Sequence, residues 1–189
     1  MAFNNPAAEL QEGAALTFAA VDHGLQAWTF DPASQPAGTY TLATGGTVYV
    51  VALKTNPRLI TNIIVGVQTA GGTLTASQCF AGLYQNGALI ASTADQSGVW
   101  NSTGVKTMPL ASPVIPLGGL VYAAFVFNGT TGPTLATGGT PSSNAALNNV
   151  GLAATVARFG SANTGVTTAL PATLGTVSAL AQTPWVGLS

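Results

Sequence analysis

The chain has 189 residues, of which 5% are charged and 47% hydrophobic, with a formal net charge of -1. An average soluble protein carries roughly 25% charged residues, so polarity here comes from hydroxyls and amides. Such hydrophobicity with so little net charge excludes intrinsic disorder, and the scattered Lys54, Arg58, Lys106 and Arg158 cannot form the basic stripe of a nucleic-acid or anionic-lipid binder.

Residues 1 to 36 stand apart from the rest. They hold Glu9, Glu12, Asp22 and Asp31, four of the five acidic residues, together with the only histidine, His23, and they run out through the Pro-rich DPASQPAG. Within them AAELQEGAALTF has helical character broken by Gly13, whereas LTFAAV alternates as a strand would. No charged n-region precedes the first basic residue, Lys54, so export on a secretory signal is not expected. The segment is too short for a core of its own. Its apolar residues Phe3, Leu10, Leu16, Phe18, Leu25, Trp28 and Phe30 are expected to enter pockets on another surface. Residues 1–36 are therefore read as an extended N-terminal arm and residues 37–189 as a single body.

From Tyr40 onward, short runs rich in β-branched and aromatic residues alternate with turn signals. They are TVYVVALK (47–54), LITNIIVGVQT (59–69), CFAGLY (79–84), ALIAST (88–93), GVKTMPL (104–110), LVYAAFVF (120–127), LAATVARF (152–159) and TPWVGLS (183–189). Between CFAGLY and ALIAST, Asn86-Gly87 predicts a tight primed hairpin turn. Residues 134–149 read as a long loop. The pattern predicts an all-β fold, an antiparallel β-sandwich of jelly-roll-like form, with Ile63, Val65, Leu83, Val121, Phe125 and Trp185 contributing to its interior. A helical membrane span needs about 20 consecutive apolar residues, and these runs are strand-sized, so no membrane partner is expected.

Reactive groups are scarce. His23 lies in the arm beside Asp22, away from any formed pocket, and only Asp95 supplies a carboxylate to the body, which leaves no triad and no carboxylate pair for glycoside cleavage. Cys79 is alone, so no internal disulfide forms, and no ligand spacing suggests a metal. Neither an enzyme nor a cofactor is expected. Of the three tryptophans, Trp100, followed by Asn101-Ser102-Thr103, is the one placed to offer a sugar-stacking platform, with Asn128 on a neighbouring loop.

The stretch from LITNIIVGVQT through GLYQNGALIASTADQSGVW to KTMPL, then GGLVYAAFVFNGTTGPTL, ATVARFG, TALPATL and the closing PWVGLS, resembles the jelly-roll-like virion domain of tailed bacteriophages of actinobacteria. In that family the domain occurs in capsid-exterior proteins and in minor tail or fibre-like proteins. The likeness covers residues 40 to 189 and carries over no catalytic residue. It implies a structural protein of the virion exterior, made in the host cytoplasm. The first expectation is a capsid decoration protein whose arm binds the major capsid protein or other virion proteins through Phe3, Leu10, Leu16, Phe18, Trp28 and Phe30. The second is a minor tail or fibre-associated module meeting a host-surface glycan at Trp100, Asn101 and Asn128. Edge strands with almost no Lys or Glu to guard them favour self-association, with a trimer as the expected homo-oligomer.

Overall fold

Alternating burial along the strands builds two antiparallel sheets that pack face to face. The computed structural model describes residues 18–34, 37–138 and 145–189. Within them run fifteen strands: β1 (Ala27–Trp28), β2 (Ala37–Thr41), β3 (Val48–Thr55), β4 (Ile60–Thr69), β5 (Gly72–Leu74), β6 (Phe80–Gln85), β7 (Ala88–Ser92), β8 (Gly104–Val114), β9 (Gly119–Val126), β10 (Gly129–Thr131), β11 (Thr134–Gly138), β12 (Phe159–Ala162), β13 (Ser178–Ala179), β14 (Thr183–Pro184) and β15 (Val186–Leu188). β5 and β10 pair as a separate two-stranded ladder, and of the two larger sheets one is ordered β13-β12-β3-β9-β6-β7. The other is centred on β4, which pairs with β8 along one side and with β15 and β11 along the other, while β1 joins β15, and β2 and β14 join β11. The chain crosses between sheets from β3 to β4, from β7 to β8 and from β8 to β9, so the all-β sandwich is tied across its ends as well as through its core.

The expected interior is there, with one exception. Ile63 and Val65 of β4 meet Leu83, Val121 and Phe125 of the facing sheet, and all five are fully buried. Trp185 is not among them. Val186 and Leu188 take the inward positions of the last strand, and strict two-residue alternation turns Trp185 to the outer side. There it lies with Leu25 over Gly187.

The hairpin forms as its turn residues predict, with Asn86 at φ 51° and Gly87 at φ 78° and Gln85 paired with Ala88. Two other expectations change. The run LAATVARF is not a strand over its length; β12 begins only at Phe159, and the preceding residues turn. The supposed loop of residues 134–149 instead opens with β11, which Thr134 to Gly138 form by pairing with β2, and contains a helical turn at Ala145–Asn148.

The β3-β9-β6 sheet is buried on both faces. Tyr49, Val51 and Leu53 of β3 point into the sandwich, while Val48 and Val50 point away from it. On that outer side they join Tyr84, Ala124 and Val126 beneath Val166 and Leu170, with Leu174 and Val177 packed alongside. This covering strap, residues 163–177, is irregular and held by hydrogen bonds. The Tyr84 hydroxyl donates to the Pro171 carbonyl at 2.7 Å, the Leu89 amide to Ala172 at 2.9 Å, and the Leu174 amide to Gly87 at 2.8 Å. Burial pushes the Tyr84 hydroxyl pKa up to about 12.

Close contact under the strap requires glycine. A Cβ on Gly82 would lie 2.5 Å from Leu170 Cδ1 and 2.7 Å from the Ala91 carbonyl oxygen. Gly82→Ala is expected to destabilise the fold by about 1–3 kcal/mol through overpacking. Gly87→Val should cost about 1–2 kcal/mol because its φ is left-handed. Urea midpoints equal to that of the parent chain would contradict both placements.

Candidate interaction surface

The N-terminal segment becomes part of the sandwich before residue 36. Ala27 pairs with Leu188 and Trp28 with Gly187, the Gln26 amide donates to the Leu188 carbonyl at 2.7 Å and the Thr29 amide to that of Val186 at 3.0 Å. The Thr29 hydroxyl donates to Pro184, and Ala27 is buried in the core. Without this strand the main-chain groups of β15 would form an open edge. Residues 26 to 29 thus belong to the sandwich, although the sequence reading placed them in the arm of residues 1–36.

Ahead of β1 a single 3-10 turn, Ala20–His23, is capped by the Asp22 carboxylate, which accepts from the Ala19 amide at 2.8 Å, and is ended by Gly24 at φ 72°. Asp22 beside His23 is thus a capping arrangement. The turn presents a row of aromatic rings: Phe18 stands edge-on to His23 at 5.5 Å, and His23 tilts against Trp28 at 5.1 Å. Phe18 and Val21 are 67% and 70% exposed.

Beside Trp28 opens a groove of about 480 Å³, within the roughly 300–1,000 Å³ range of ligand-binding pockets. Its lining includes Trp28, Leu53, Leu120, Leu152 and Val156 as apolar surface, with Lys54 and Arg158 as its charged groups. Sheet register brings the two cations together. Phe159 pairs with Val51, the Ala52 amide donates to the Arg158 carbonyl, and Lys54 follows Ala52 two residues along the same face, about 7 Å away. Asn149 accepts from the Arg158 amide and so holds the loop carrying Leu152 at the rim. Leu147 and Val150 on that loop are also exposed. Apolar walls with two adjacent cations suit a short apolar segment that carries carboxylates.

The residues singled out in the sequence fall into separate places. Phe3, Leu10 and Leu16 lie outside the described residues. Phe18 and Trp28 belong to the aromatic row, whereas Phe30 is half-buried with its ring against Gly138. Trp100 is fully buried and meets Phe125 edge-on at 5.9 Å, so it cannot offer a face to a sugar. Asn101 is exposed at the end of the short helical turn that buries Trp100. Asn128 is a structural clasp, its Nδ2 donating to the carbonyls of Gln78 and Val166, each at 2.9 Å. These three residues do not compose one surface. Lys54, Leu120, Leu152 and Arg158 were not visible as a site, because long-range pairings join them: β3 with β9 for Leu120, and β12 with β3 for Arg158 and the loop ahead of it.

Cys79 is buried, with its thiol directed at the carbonyls of Thr75 and Asn128, and burial pushes its pKa up. Asp95 organises the loop next to it, accepting from the Cys79 amide at 3.1 Å and from the amide and hydroxyl of Ser97. Among the described residues, no three His, Cys, Asp or Glu side chains gather where they could hold a metal ion.

No family model, curated protein or solved structure matches this chain. The fold and its surface define a β-sandwich with an apolar, cation-flanked groove next to the aromatic row of Phe18, His23 and Trp28.

Burial pushes the Asp95 carboxyl up, but hydrogen bonds from the Ser97 hydroxyl and from the amides of Ser77, Cys79 and Ser97 outweigh it and hold the pKa below the ordinary 3.8. A carboxylate held low in the folded chain stabilises it above that value, and the contribution is lost as the pH falls through the folded pKa. Stability is thus expected to decline on acidification from about pH 4 downward. Asp95→Asn should cost about 1–2 kcal/mol at neutral pH and flatten that decline. Urea midpoints across the acid range give the comparison, and an equally steep decline in the variant would assign the acid sensitivity elsewhere.

Proposed function

We propose that this chain is a structural protein of a tailed-bacteriophage virion exterior, a capsid decoration protein that its N-terminal residues hold to the particle. The supporting observation is the way the segment joins the sandwich. Main-chain pairing with β15 fixes residues 26 to 29, and the chain ahead of them leaves with Phe18 and Val21 on the outside. Apolar side chains presented from a firmly rooted point suit attachment to another protein. Of the anchors read from the sequence, Phe3, Leu10, Leu16 and Phe18 keep this role, while Phe30 serves the sandwich itself. The partner is the major capsid protein or a neighbouring virion protein.

The scarcity of charge fits the same setting. A surface decorated with hydroxyls and amides avoids long-range repulsion between many copies held close together. The alternative position, a minor tail module that binds a host glycan, has lost its stacking platform with the burial of Trp100.

Quantitative mass spectrometry of purified particles tests the proposal. A decoration protein is expected in proportion to the major capsid protein; a few to a few dozen copies would move it to the tail, and absence from particles would overturn the reading. Leu10→Ser, Leu16→Ser and Phe18→Ser combined should leave the melting transition in place and weaken particle binding at least about tenfold, equivalent to about 1.4 kcal/mol.

A further inference from the structure

We propose that the groove lined by Trp28, Leu120, Leu152, Lys54 and Arg158 receives the Glu9–Glu12 stretch of a second copy of this chain, so that neighbouring copies are linked by exchange of their N-terminal segments. The inference goes beyond the virion reading and does not require it. Lys54 and Arg158 are half of the four basic residues, and both lie exposed on the lining of one apolar groove. No ion pair ties either of them to a carboxylate among the described residues. Two like charges on the lining of one groove gain from a counter-charge, and the chain has few to offer. It has five acidic residues. Asp95 is committed to the Cys79–Ser97 loop, and Asp22 caps the turn at Ala20–His23. Asp31 accepts from the Ala33 amide.

That leaves Glu9 and Glu12, three residues apart in AAELQEGAALTF, with Leu10 and Leu16 near them. Two carboxylates interspersed with apolar side chains are the complement of two adjacent cations set in apolar walls. Chain reach is sufficient. The segment leaves the described fold at Phe18, whose ring is linked through His23 to Trp28 on the groove itself. Extended chain covers about 3.3 Å per residue, so Glu12 reaches about 20 Å from Phe18 and Glu9 about 30 Å, enough to cross to a copy packed alongside. The rooted residues favour exchange: the pairing of β1 with β15 fixes the direction of departure, and Phe18 and Val21 project into solvent rather than folding back. Each copy then both gives a segment and takes one, which is how a repeating contact arises between identical chains.

A charge-swap experiment on the full chain tests this by sedimentation over a range of protein concentrations at low salt. The parent chain is expected to associate, and to do so less at high salt as the ion pairs are screened. Lys54→Glu with Arg158→Glu, and separately Glu9→Lys with Glu12→Lys, should each melt as the parent does yet weaken self-association at least tenfold. Mixing the two charge-reversed proteins should restore association in trans, because each groove then faces a segment of opposite sign. Any one of three results would overturn the proposal: a parent chain that stays monomeric throughout, a charge-reversed variant that associates as well as the parent, or a mixture that remains monomeric.

Discussion

Double burial of the β3-β9-β6 sheet is the constraint on which the rest of this structure depends. A sheet covered on one side only would let Val48, Val50, Tyr84 and Val126 face water; here they need a lid, and the chain supplies one as the strap of residues 163–177. The strap has no ladder of its own, so its polar backbone must be satisfied by the sheet edge and by side chains. Asn163 closes it, donating to the Thr173 carbonyl and accepting from the Gly175 amide. The close approach also dictates glycine beneath it: a Cβ on Gly160 would stand 2.4 Å from Val177, and one on Gly82 2.5 Å from Leu170. Where the lid stops, around Ala52, Lys54 and Leu120, the same outer face stays open. The groove is the uncovered remainder of a face that is elsewhere core.

With so few charges, side-chain amides carry the structural hydrogen bonding that ion pairs share in other proteins. Gln85 is buried and holds the turn before β9 from both ends of its amide, accepting from the Leu117 amide and donating to the Gly118 carbonyl, each at 2.9 Å. Asn128 joins the Gln78 and Val166 carbonyls and so ties the strap to the β5-β6 connection. Neutral donors and acceptors avoid the large desolvation cost of buried ions. A fold built this way gains little from ion pairs, and Asp95 is the carboxylate through which acid acts on the body.

Local chemistry was legible in the sequence wherever a rule acts within a few residues. Asn86-Gly87 predicted its turn because positive φ is a property of those two residues, and Ile63 and Val65 were placed in the core by alternation along one strand. Long-range register was not. Trp185 has the composition of a core residue, but Val186 and Leu188 hold the inward positions through pairing with Val65 and Ile63. Trp100 looked exposed because it precedes a polar tripeptide, whereas a single helical turn folds it inward against Phe125. The strap was hidden for a related reason. Val166, Leu170 and Leu174 recur every four residues, a helical period, yet Gly165, Pro171 and Gly175 forbid a helix and the spacing instead marks where an extended chain dips onto the sheet.

The described N-terminal residues both cover a sheet edge and hold bulky apolar side chains in solvent. β15 needs a neighbour, and β1 provides it with two paired residues, to which Gln26 adds a hydrogen bond to Leu188 and Leu25 a contact over Gly187. Composition separates the two duties. Ala27 is small and enters the core, Thr29 spends its hydroxyl on Pro184, and the bulky Phe18 and Val21 are kept outside. Trp28 stands between them, because one side of its ring meets His23 of the departing segment and its remaining surface lines the groove. A single strand residue thus couples where the segment leaves one copy to the surface that would receive it on the next, and any shift in β1 register would move both at once.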